Sequence, residues 1–208
     1  MTLKLRVLAA VLSLAVLALA AVSQQMASTA PTTPSASSTP PTSGPRAEFL
    51  NELKGEEGKF IALAEAVPSD KYPWRPADGV RSISEVFLHV AAANYNLPKL
   101  IGTPPPAGFK PQGFDKSATD KAKVIEILKD SFNHLRVAVM NMPDSDLEKQ
   151  LDWFGGKNTE RGILLFIMRH MGEHLGQSIA YARIEGIVPP WTEEQQREQK
   201  KPQEKPKQ

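Results

Sequence analysis

The sequence predicts an all-α fold, a four-helix bundle, and three observations carry that prediction. Four long segments repeat apolar residues at intervals of three and four, the period of an amphipathic helix. The connections between them are rich in Pro and Gly, which interrupt helices. No stretch alternates apolar and polar residues convincingly enough to be read as a strand. Cysteine is absent, so neither a disulfide framework nor a cysteine-linked lipid contributes.

Residues 1–23 read as an export signal. Lys4 and Arg6 supply a positive start, an apolar run extends from Val7 to Val22, and Ala21-Val22-Ser23 offers small residues for cleavage before Gln24. The apolar run is shorter than the ~20 residues that span a bilayer. The expectation is an exported, periplasmic or extracellular protein. The alternative is a membrane anchor, should this segment stay attached. Residues 24–45 are Ser, Thr, Ala and Pro with no charge before Arg46, the composition of a linker that cannot bury enough apolar surface to order itself. Residues 192–208 are Glu, Gln, Lys and Pro without a large apolar side chain and predict a disordered charged tail. The domain is therefore expected over 46–191.

The first helix is predicted from Arg46 to Ala66. Phe49, Leu50, Leu53, Phe60, Leu63 and Ala64 mark its apolar side, and Pro68 ends it. Lys71-Tyr72-Pro73-Trp74-Arg75-Pro76 predicts an ordered connection. The second helix begins near Ser82 or Ser84 and reaches about Leu100, with Ile83, Val86, Phe87, Val90, Ala93 and Leu97 at helical spacing. A long Pro-rich linkage, Gly102 to Gly113, can cross the end of a bundle. The third helix opens at Ser117 or Thr119 and stops before Pro143, striped by Val124, Leu128, Phe132, Leu135 and Val139. Pro143 to Gly156 is a further connection. The fourth helix starts at Asn158 or Thr159, good N-cap residue types, and stops at Gly186 ahead of Pro189 and Pro190.

Charge narrows the function classes. The chain carries 25 basic and 23 acidic residues, and loss of Lys4 and Arg6 with the signal balances them. No basic stripe with interleaved aromatics is present, so nucleic-acid binding has little support and none is expected.

The strongest chemical signal is His170 and His174, two of only four histidines, placed four residues apart on the fourth helix. Residues i and i+4 share one helix face, so both imidazoles can grip one divalent ion. Ile163, Ile167, His170, His174, Gln177, Tyr181 and Ile184 are read as one inward seam. A third ligand is expected from another helix, and His89, between Val86 and Ala93, is the best candidate. His134 reads as a surface or boundary residue. Each histidine could instead be a core residue satisfied by a hydrogen bond. Gln177, one turn beyond His174, is read either as a second-sphere group bonded to a ligand histidine or metal-bound water, or as a polar group bonded to the second helix near Asn94 or Asn96. Trp74, Trp153 and Trp191 are read as caps on the bundle ends.

The order of these pieces resembles the DinB-like superfamily. The matching residues are Trp74-Arg75-Pro76, Gly79-Val80-Arg81-Ser82, Glu85 to His89, His170 to Gln177, and Arg183 through Gly186 to Pro190. The resemblance implies an up-down-down-up four-helix bundle with a three-histidine metal site, His89, His170 and His174 being the ligands. Zinc and nickel are the ions expected with it, while imidazole-only ligation suits zinc, nickel, copper or iron, so the sequence itself does not choose. The resemblance also implies thiol-dependent transferases as a family activity and pairing into homodimers as a family habit.

His170-Met171-Gly172-Glu173-His174 also matches the inverted zinc-protease motif, but that class needs a larger domain and a distant acidic ligand. The motif still nominates Glu173 as a catalytic base, since it lies ~60° around the helix from His170. Three classes of function follow. One is a metal-dependent hydrolase, which suits export better than a thiol transferase, acting on an unknown small molecule. The second is a non-catalytic module in which the metal fastens two helices. The third is an interaction protein working through its linker and tail.

Overall fold

The structure is a computed structural model and describes residues 40–200. The expected export signal, the expected linker up to residue 39 and the tail from residue 201 lie outside the described residues. Helix α1 spans Gly44–Ala66. Pro45 sits in its first turn, where the missing N–H costs nothing. Phe49, Leu53, Phe60, Leu63 and Ala64 are its buried face, while Gly55 and Gly58 lie on the exposed side.

The connection that follows is ordered, as its aromatics predict. The buried Tyr72 hydroxyl donates to the Ala64 carbonyl at 2.8 Å. The backbone of Ile83 and Ser84 donates to the carbonyls of Trp74 and Tyr72 at 3.0 and 2.9 Å. These bonds tie the loop to the start of helix α2, Ile83–Asn96. Ser82 and Glu85 form a reciprocal capping box there. Pro98 lacks the N–H that would continue the α-helix, and Leu97–Ile101 tightens into a 3₁₀ turn that ends at Gly102, φ 88.

Helix α3, Lys121–Asn141, follows the long crossover. Its N-cap is Asp120, whose side chain accepts from the Lys123 N–H at 2.8 Å, one to three residues later than the sequence predicts. Helix α4, Glu160–Ile184, is capped by Thr159 and followed by Gly186 at φ 76. In cross-section α1 and α2 each pack against both α3 and α4, giving the order α1, α3, α2, α4 around the bundle. Phe60, Phe87 and Phe132, one from each of the first three helices, meet at the centre with ring centroids 6.5 and 5.8 Å apart.

Two readings are corrected. The connection before α4 holds a β-hairpin, β1 Gln150–Trp153 paired antiparallel with β2 Gly156–Thr159. Its two-residue turn is Phe154-Gly155, both at positive φ, as a type I′ hairpin requires. Glycine at the second turn position was the available signal. Phenylalanine at the first is unusual enough to hide it. The second correction concerns the tail. Helix α5, Pro190–Gln199, replaces the expected disorder over its first residues. Trp191 packs on the core, α5 lies against α1, and Glu193 pairs with Arg197 one turn on. Among the described residues no helix is long and apolar enough to cross a membrane.

Candidate metal centre

Helix α4 buries Leu164, Ile167, Met171, Leu175, Ser178 and Ala182 as a continuous stripe. The predicted seam runs along the edge of this stripe. Ile163, Ile167 and Tyr181 are buried, His170, His174 and Gln177 are half-buried, and Ile184 is 64% exposed. The seam is corrected by about one position, and the correction matters: the histidines stand where α4 meets both the core and open space.

His89 arrives from α2, whose Ala91, Ala92 and Ala93 allow close approach of α4. Its Nε2 lies 3.1 Å from Nε2 of His170. Ring centroids are 5.0 Å apart for His89 and His170, 4.6 Å for His89 and His174, and 4.5 Å for His170 and His174. One ligand nitrogen from each residue lies within 4.8 Å of the others. Two nitrogens bound to one tetrahedral zinc at ~2.0–2.1 Å stand roughly 3.3 Å apart, so the facing pair already has a suitable span.

The next layer orients the third imidazole. Nδ1 of His174 donates to Oε1 of Gln177 at 2.9 Å, and Nε2 of Gln177 donates to the Tyr181 hydroxyl at 2.9 Å. With the proton on Nδ1, Nε2 of His174 keeps its lone pair free for an ion. Tyr181 is held edge-on by Trp74 at 5.6 Å. Of the two sequence readings for Gln177, the bond to histidine is the one present. Asn94 instead bonds Ser131 on α3.

Electrostatics keeps two of the imidazoles neutral. Burial pushes the His89 pKa down to about 4, helped by the charges of Arg81 and His174 and opposed by Asp115. Burial also pushes His170 to about 3, with His174, His89, Arg169 and Arg81 adding to the effect. Both therefore present lone pairs at neutral pH, the state a metal needs. The donor set, its spacing and its protonation all fit a divalent ion.

Two cavities adjoin the cluster. His89 and His170 line one of about 260 Å³ together with Ala92, Ala93, Leu97 and Phe166. Gln177 lines another of about 460 Å³ with Arg75, Arg81, Glu85, Asp115 and Lys116. A larger groove, about 1030 Å³, lies between α1 and α5 and contains none of the three histidines.

Other sequence candidates fall elsewhere. Glu173 is exposed and ion-paired with Arg169, outside the group of ligand atoms that converge. His134 is half-buried against Tyr95, with ring centroids 5.6 Å apart, and takes no part in the cluster. Trp153 packs on Phe166 at 4.8 Å, and Phe166 stacks over His170 at 6.1 Å. Phe166 and Arg81 were not among the sequence candidates. Phe166 stands one turn before His170, which was a usable signal. Arg81 precedes the N-cap of α2, and only the folded loop brings it near the imidazoles.

A sequence model of the DinB superfamily matches residues 52–178. The chain is 25% identical over 128 residues to the uncharacterized protein YjoA of Bacillus subtilis, an alignment covering 60% of this chain and 80% of YjoA. The fold is similar to the crystal structure of a DinB-like protein from Bacillus cereus, with TM-score 0.60, 19% identity, and coverage of 68% of this chain and 93% of that one. It is also similar to the crystal structure of YjoA, with TM-score 0.55, 21% identity and the same coverages.

Proposed function

The chain belongs to the DinB superfamily, and from that premise we propose that it binds one divalent ion, zinc or nickel, through His89, His170 and His174 and uses it as a hydrolytic centre. The observation that carries this reading is the 3.1 Å approach of two Nε2 atoms at the wall of a cavity. A structural metal site is closed by four protein ligands, whereas a catalytic one keeps a position open. Here three imidazoles converge, with no cysteine and no carboxylate in the group. A bound ion would supply Lewis acidity at neutral pH. The protein's part is to hold the imidazoles neutral, to orient His174 through Gln177 and to shape the cavity that admits a small molecule. Glu173 is not assigned a role in proton transfer, because it is exposed and its carboxylate is engaged by Arg169.

The test is metal analysis of protein purified without a histidine tag. We expect about one equivalent per chain, and none in His170→Ala. A variant that keeps a full equivalent overturns the ligand set. Hydrolysis of ester, amide and lactone panels, and its loss with chelator, tests the catalytic half.

A second reading has its own observation: the ligands come from α2 and α4, so an ion would clasp two helices. A large drop in melting temperature on chelation, with inactivity in both hydrolase and thiol-transferase panels, would favour that non-catalytic module. Export is part of the proposal and is supported by the composition of residues 1–23. Fractionation of cells with an antibody to the folded domain tests it, a cytoplasmic pool being the contrary result.

A further inference from the structure

The polar cavity beside the cluster has a surplus of cationic donors. Its charged residues are Arg75, Arg81 and Lys116 against Glu85 and Asp115. Arg75 is committed: Nη1 donates to the Val80 carbonyl at 2.8 Å and Nη2 to Glu85 at 3.0 Å. Arg81 gives only its Nε to Asp115, at 3.2 Å. Among the described residues, its two terminal amino groups and the Lys116 ammonium have no hydrogen-bond partner. The cavity therefore carries one positive charge beyond its own ion pairs. A guanidinium with its outer edge free is shaped for a planar carboxylate.

The other cavity has the opposite character. Ala92, Ala93, Leu97, Pro111 and Phe166 make it apolar apart from the imidazole edges and Asn96. The two chambers adjoin the histidine cluster in different ways. His89 and His170 line the apolar chamber directly, and Gln177 lines the cationic one while bonded to His174. The three rings lie within 5.0 Å of one another, and the charge of Arg81 acts on both His89 and His170, so the cationic edge and the apolar chamber flank the same imidazoles.

We propose that the site accepts a small organic monoacid, its carboxylate held by Arg81 and Lys116 and its apolar body lodged over His89 and His170. The assignment of this molecule as a substrate rests on the metal-centre reading above. The binding geometry does not. A single surplus charge matches a monoanion better than a phosphate dianion, and the apolar chamber needs a hydrocarbon body that inorganic anions lack.

Calorimetric titration of the full chain with 3-phenylpropionate, 3-phenylpropanol and acetate tests this, on protein as purified and again after chelator treatment. We expect 3-phenylpropionate to bind at least about tenfold tighter than either comparison, the factor one charge-assisted hydrogen bond supplies. Arg81→Gln should weaken the acid by about tenfold and leave the alcohol unchanged. Lys116→Gln, which breaks no ion pair, should weaken it by a few fold and serves as the readout if the Arg81 variant melts early. The preference should survive metal removal. Equal binding of the acid by wild type and both variants overturns the proposal. So does a preference for the acid that vanishes with the ion, which would mean that the metal alone held the carboxylate. Protein that contains no metal yet keeps the preference refutes the metal centre and leaves this seat standing.

Discussion

Gln177 decides which nitrogen of His174 is available. Its amide oxygen fixes the ring proton on Nδ1, and Tyr181 fixes the amide in turn. Gln177→Leu should therefore lower metal affinity by about 10–100-fold, the usual effect of losing such a support, while His170 and His89 stay in place. Competition against a chromophoric chelator measures it, and unchanged affinity would remove Gln177 from the site. Gln177→Glu keeps an acceptor facing Nδ1 and should retain binding. At this scale the sequence was legible where chemistry follows helical spacing. His170 and His174 declare themselves at i and i+4, and Gln177 follows on the same face. Arg81 and Lys116 do not, because their joint position depends on a loop and a 3₁₀ turn 34 residues apart that the Arg81–Asp115 pair brings together.

Helices announce their ends more clearly than their exact faces. Ser82 and Glu85 form the capping box that starts α2, and Glu85 also receives Arg75. Ser82→Ala should cost about 1 kcal/mol of stability, read from the urea midpoint, because the Glu85 N–H loses its acceptor. A variant as stable as wild type would show that α2 is held by packing alone. The α4 seam was legible as a period but not in phase. Its apolar residues are numerous enough that a stripe one position over fits nearly as well, and only burial against α1 and α2 selects it. The hairpin was missed because each strand has only four residues: β1 alternates over Gln150–Trp153 but is too short a run to stand out, and β2 does not alternate. Helix α5 was missed because composition alone reports solubility. Trp191, docked on the core, anchors the polar turns that follow.

For the molecule as a whole, the bundle holds two imidazoles in surroundings that disfavour their charged forms. The sign of the resulting pH dependence follows directly. An unfolded chain protonates histidine near pH 6.5, whereas folded His89 waits until about 4 and His170 until about 3. Their contribution to stability is complete above about 6.5 and is lost as the pH falls toward 4 and then 3. The melting temperature of chelator-treated protein should fall across that range, and the fall should shrink in a His89→Gln, His170→Gln double variant. A double variant with the same slope would assign the loss to carboxylates instead. The bundle architecture itself was legible from four apolar periods and the prolines between them. His89 and His170 are 81 positions apart, and His89 meets the two imidazoles of α4 only when that last long helix docks. During synthesis a ribosome must release nearly the whole domain before three nitrogens can surround an ion. A chain threaded elsewhere before folding would then draw any metal it binds from the compartment where it completes that docking, whatever ions were abundant at its birthplace.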